Sequence, residues 1–155
     1  ISGTMQSGDA GTGDPTFILL SPAEQFRDNY VFLAPNKYLF DCVNLIVPTG
    51  VAVYLDGNEL RQEDLTFKAI SDIQEELELA GLNDPSELMT RFGDYAMIGS
   101  GKWSVWRVIV SDGVHVAQSE QPFGVVVYGY DHYVSYGYPA GLNLEDLQLL
   151  SDSEP

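Results

Sequence analysis

Large apolar residues along this chain fall in short blocks, many alternating with polar ones, and most blocks are closed by Gly, Pro or an Asp-Gly pair. A period of two puts successive side chains on opposite faces, so the blocks read as β-strands. The densest is FGVVVYGY, residues 123–130. Phe123, Val125 and Val127 fall on one face and Val126, Tyr128 and Tyr130 on the other, so neither face suits water. The block predicts a central strand beginning just after Pro122. Upstream, TFILLS (16–21) and NYVFLAP (29–35) predict strands closed by prolines. In YLFDCVNLIVP (38–48), Leu39, Val43, Leu45 and Val47 alternate with Phe40, Cys42, Asn44 and Ile46. Asp41 and Asn44 interrupt the two faces and need hydrogen-bond partners if they are buried.

VAVYLDGNEL (51–60) reads as a hairpin, with Asp56-Gly57 supplying the positive φ values of a tight turn, and TFKAI (66–70) continues the sheet. The period then lengthens. Ser71 and Gln74 form a capping box, Ile73, Leu77 and Ala80 share a helical face, and Gly81 is a stop. Asp84, Pro85 and Glu87 signal a second start, with Leu88 and Phe92 one turn apart before Gly93. DYAMIGS, WSVWRVIV and VHVAQS return to strands, the last two joined by Ser111-Asp112-Gly113. Arg107 breaks an apolar face of WSVWRVIV and calls for a carboxylate partner. After the central strand, HYVSYGYPAG (132–141) is punctuated by glycine and proline and predicts a tight, irregular path. Many short strands with no βαβ alternation predict a mostly β fold, a two-sheet sandwich of jelly-roll kind with a short two-helix insertion. Residues 1–15 read as a flexible leader, 16–150 as a single β-sandwich domain and 151–155 as a loose tail. Between them, Leu144, Leu147 and Leu150 suit one helical turn or a last strand.

Composition narrows the function. At 155 residues and 45% hydrophobic content the chain can bury a core. With 23 acidic against 7 basic residues, the formal net charge is −16. Such a surface repels phosphate backbones, so nucleic acid is excluded as a partner, and the acidity suits solubility outside a cell. No apolar run reaches the length of a membrane span, so no membrane insertion is expected. The chain opens on Ile1, as a fragment or processed form would, so the lack of an export signal says nothing of its destination.

The search for catalytic chemistry returns little. Gly99-Ser100-Gly101-Lys102 lacks the first glycine and the final Ser or Thr of a phosphate-binding loop, and neither G-x-S-x-G nor H-E-x-x-H occurs. The single cysteine, Cys42, sits in an apolar run and reads as a core residue. With only His115 and His132 besides, no His/Cys metal site is expected, and no spacing matches a calcium loop. No cofactor is called for, and the chain is expected not to be an enzyme. His115, between two valines, reads as a structural histidine bonded within the sheet. The feature that can carry function is the aromatic cluster Tyr130, Asp131, His132, Tyr133, Tyr136 and Tyr138. Tyrosine joins a rigid ring to a hydroxyl, which suits protein surfaces and sugar-stacking platforms alike. The same rings could instead fold back and close the end of the sheet.

The block PFGVVVYGYDHYVSYGYPAG resembles a signature of the IgG-Fc-binding protein amino-terminal domain family, secreted and cell-surface β-rich domains of animal mucus proteins and bacterial surface proteins. Residues 29–57, ending in Leu-Asp-Gly, and residues 106–124, WRVIVSDGVHVAQSEQPFG, resemble its early and late strands. The resemblance covers most of residues 29–144, is taken to that of a bacterial member, and contains no catalytic motif. It implies an extracellular or cell-surface adhesion domain whose partner is a protein or glycan on another surface. The competing expectation is a structural module that forms homo-oligomers, a dimer or trimer, in a surface fibre or coat.

Overall fold

The computed structural model describes residues 14–65, 93–131 and 133–144. Eight strands make one antiparallel sheet: β1 (Arg27–Ala34), β2 (Phe40–Pro48), β3 (Val53–Leu55), β4 (Asn58–Glu59), β5 (Gly93–Ile98), β6 (Trp103–Val110), β7 (Gly113–Asp131) and β8 (Val134–Pro139). Short 3-10 turns at Ala23–Gln25 and Gln62–Asp64 flank β1 and β4. The mostly β expectation holds, but the strands do not separate into two independent sheets. All are joined through β7, and the sheet curls. The expected strand TFKAI and both expected helices lie outside the described residues, as do His132 and nearly all of the expected leader and tail.

β7 explains the curl. Gln118 faces Asn29 while Phe123 faces Arg27, so residues 119–122 of β7 stand across from Asp28 alone. This extended bulge bends the strand and accommodates Pro122, which has no N–H to give to a ladder. Pro122 therefore sits at a corner inside one long strand and does not start a new one. Before the corner β7 pairs with β1 and β3; after it, with β2 and β8. Gly113 faces Ala34 and Tyr130 faces Phe40, and only residues 35–39 join Ala34 to Phe40. The two ends of β7 thus return to the same end of the molecule.

The curl encloses a single core. On β1 the inward residues are Tyr30, Phe32 and Ala34, on β2 Val43, Leu45 and Val47, and on β6 Trp106, Val108 and Val110. Phe123, Val125 and Val127 complete it from β7, as the alternation of the densest block required. Tyr30 locks the corner: its ring meets Phe123 edge-on at 5.1 Å, and its hydroxyl donates to the Phe123 carbonyl at 2.6 Å. The Asp56-Gly57 turn forms with φ values of 51° and 81°. Arg107 has its expected partner, Asp94, directly across the β5–β6 ladder at 3.3 Å. Cys42 is buried, and burial pushes its thiol up to about 12, the state of an unreactive core residue.

Two local expectations are corrected. Residues 16–21 form no strand; Ile18 instead packs over Gly137, where a Cβ would collide with it. The glycine-punctuated run after Tyr133 is a regular strand, β8, in register with β7 from Asp131↔Val134 to Val126↔Pro139. Its glycine is a packing allowance, not a bend. Gly129 serves likewise: a Cβ there would meet the Tyr136 ring, the Asp41 carboxylate and the Phe40 carbonyl. Replacing Gly129 with Ala is expected to lower unfolding stability by about 3 kcal/mol in denaturant titration, from overpacking at a site with no room to relax.

Candidate functional site

The loops at residues 35–39, 56–57 and 111–112 and the turn at Tyr133 gather at the end to which β7 returns, and beneath them lies a group of polar side chains. Asp41, only 2% exposed, faces inward near the start of β2. It accepts a hydrogen bond from the Tyr136 hydroxyl of β8, and the carboxyl of Asp112 is its neighbour. Burial pushes Asp41 up to about 6, and the neighbouring Asp112 adds to the rise, while the Tyr136 hydroxyl and His115 oppose it.

His115, 5% exposed, stands on β7 opposite Phe32 and stacks on its ring at 5.4 Å. Its Nδ1 lies 2.7 Å from Asp56 Oδ2, and its Nε2 lies 2.7 Å from the Ser111 carbonyl oxygen. Both ring nitrogens thus have an oxygen partner. Asp56 also accepts from the Val116 N–H at 2.8 Å and donates its own N–H to the Val116 carbonyl at 2.8 Å. The β3–β4 turn is thereby stapled to β7. The structural role expected of His115 is the one the geometry displays.

The six aromatic-cluster residues do not converge on one surface. Tyr133 is at the β7–β8 turn with φ 56° and is 70% exposed. Tyr130 is half-buried on the outer face of the hairpin, its ring 5.8 Å from Tyr128. Asp131 closes β7 opposite Val134, and His132 lies outside the described residues. Tyr136 and Tyr138 point to the inner side, stacked at 6.2 Å. The Tyr136 ring meets Tyr38 edge-on at 4.6 Å. The Tyr138 hydroxyl donates to the Leu33 carbonyl and accepts from the Leu33 N–H at 3.0 Å. It stands where a neighbouring strand would and closes the gap between β8 and β1. Alternation on the strand explains the split: Tyr128 and Tyr130 face Gly137 and Ser135, while Tyr136 and Tyr138 face Gly129 and Val127.

Sequence reasoning found Asp41 and His115 but read Asp56, Ser111 and Asp112 only as turn residues. The available signal was that both turns carry an Asp beside Gly, where a side chain can serve a distant partner as well as its own turn. Elsewhere, an apolar groove of about 430 Å³ opens between residues 17–22, Tyr138, Pro139 and Leu142. Among the described residues no group of three or more His, Cys, Asp or Glu side chains is placed to hold a metal ion, and no helix is long and apolar enough to cross a membrane.

A family model described as IgGFc binding protein matches residues 1–129. The matched span takes in β1 to β6 and β7 as far as Gly129, and stops before the turn at Tyr133 and before β8. Neither the curated proteins nor the solved structures contain a match to the chain.

The Asp41 group gives the fold a defined pH response. Its folded value of about 6 lies above the ordinary 3.8, so its contribution is present below about pH 4 and is lost as pH rises through about 6. Relative to Asp41→Asn, the wild-type chain should lose on the order of 2 kcal/mol of unfolding stability between pH 4 and pH 7, read from parallel denaturant curves. Replacing His115 with Ala strips two acceptors of their partner and should cost about 3 kcal/mol at neutral pH, measured the same way.

Proposed function

The chain belongs to the IgGFc-binding protein family, and on that footing we propose that it is a non-enzymatic, extracellular recognition domain whose ligand is a protein. The family match is the observation that carries this reading. The loop end supports it, since a stapled, hydrogen-bonded base under short turns presents its tips with little ordering entropy left to lose on binding. In this reading Tyr133 is the foremost contact, being a large ring held outward at a turn. Tyr130 and Asp131 flank it. Tyr136 and Tyr138 act from below by holding β8 in place. The acidic surface keeps such a domain soluble and turns away nucleic acid.

A glycan ligand is the weaker alternative, because the stacking platform it needs is divided between two faces of the hairpin. Homo-oligomeric assembly has one observation in its favour. Among the described residues β5 is the last strand on its side of the sheet, and its Met97 and Ile98 are exposed.

Immobilised IgG Fc fragment is the first ligand to test, by surface plasmon resonance, with a glycan array on the same preparation. Binding to Fc or another protein, weakened about tenfold or more by Tyr133→Ala with the melting temperature unchanged, is the expected result. Binding to glycans alone, or a concentration-dependent mass with no ligand bound at all, overturns it.

A further inference from the structure

On the arm of the sheet formed by β1, β3 and the first half of β7, the side chains that alternate with the core point outward. Three of them are large, apolar and open to solvent: Val31, Leu33 and Val114, at 64%, 52% and 68% exposed. The register sets Val31 opposite Val116 and Leu33 opposite Val114, so directly paired residues of neighbouring strands share one face. Tyr54 borders them on β3 through its pairing with Gln118. Aligned exposure of this kind makes a contiguous patch, unlike the scattered apolar residues of any protein surface.

Charge selects the occupant. Residues 27–37, 53–65 and 112–120, which build this arm, hold seven carboxylates and three cationic side chains. One of the three, Arg61, is paired to Glu59 at 2.9 Å. The whole chain carries −16, so a second copy would bring like charge to the face, whereas a surface with Lys and Arg around an apolar centre meets opposite charge. We propose that the outer face of β1 and early β7, centred on Val31, Leu33 and Val114, docks a cationic protein segment that inserts apolar side chains among them. The inference rests on the protein-binding reading only in expecting a protein partner, and its apolar centre uses none of the loop-end residues.

The test uses the full chain and a fluorescent synthetic peptide alternating Leu and Lys, followed by anisotropy at low and high salt. The variant combines Val31→Ser with Val114→Ser, which alters no charge and no core residue. The wild-type chain should bind this peptide with an affinity that falls as salt rises, and the double variant should bind about tenfold or more weakly. Tyr133→Ala should bind it as the wild type does, so failure at this face and failure of recognition at the loop end are read separately. Equal binding by the double variant would reduce the contact to bulk charge and overturn the proposal. So would equal binding of a peptide alternating Leu and Glu. A wild-type dimer in light scattering that the double variant abolishes would make a second copy the occupant and overturn it as well.

Discussion

The structure depends on one strand hydrogen-bonding to four others. β7 is 19 residues long and bonds to β1 and β3 before its corner and to β2 and β8 after it. Backbone N–H and C=O groups left unpaired inside a protein are costly, so a strand with neighbours on both edges along both arms has little freedom to move. The bend at residues 119–122 turns that strand back, and the two inner faces then bury each other. Tyr30 holds the bend from inside with its ring against Phe123 and its hydroxyl on the Phe123 carbonyl. Everything at the loop end inherits its position from this arrangement, because Gly113 and Tyr130, at opposite ends of β7, are brought back to neighbouring strand ends.

Tyrosine plays a less adhesive part than its abundance suggests. Four hydroxyls are spent within the fold: Tyr30 on Phe123, Tyr128 on Asn44, Tyr136 on Asp41 and Tyr138 on Leu33. For Tyr30, Tyr128 and Tyr136 the ring packs and the hydroxyl answers a buried or part-buried polar group. Asp41 and Asn44, which interrupt the apolar faces of β2, are both answered in this way. Tyr138 does more, since its hydroxyl occupies both the N–H and the C=O of one β1 residue and blunts an otherwise open edge. Tyr133 differs from these four because it lies on the turn and is under no demand from the core.

Much of this was legible in the chain. The alternation in FGVVVYGY named Phe123, Val125 and Val127 as one face, and they are core. The Asp56-Gly57 turn, the partner for Arg107, the burial of Cys42 and the internal bonding of His115 all followed from local chemistry. The errors share a cause. Pro122 was read as a strand start because proline cannot join a ladder, yet a bulge leaves it no ladder to join. The run ending in YGYP was read as irregular because glycine and proline usually break strands. Here Gly137 is held in a strand by Ile18 packing from a segment more than a hundred residues earlier.

By itself the sequence determined which side chains can be buried, where the chain turns and which chemistry is absent from its motifs, because these depend on residue type and on spacing within a few positions. Tertiary structure alone decided that the sheet is continuous and curled, that Asp41, Asp112, His115 and Asp56 share one end, and that the tyrosines divide between two faces. Each of those facts is set by the register between distant strands. A register is a property of two segments together, and a shift of one residue in either would turn every side chain to the opposite face.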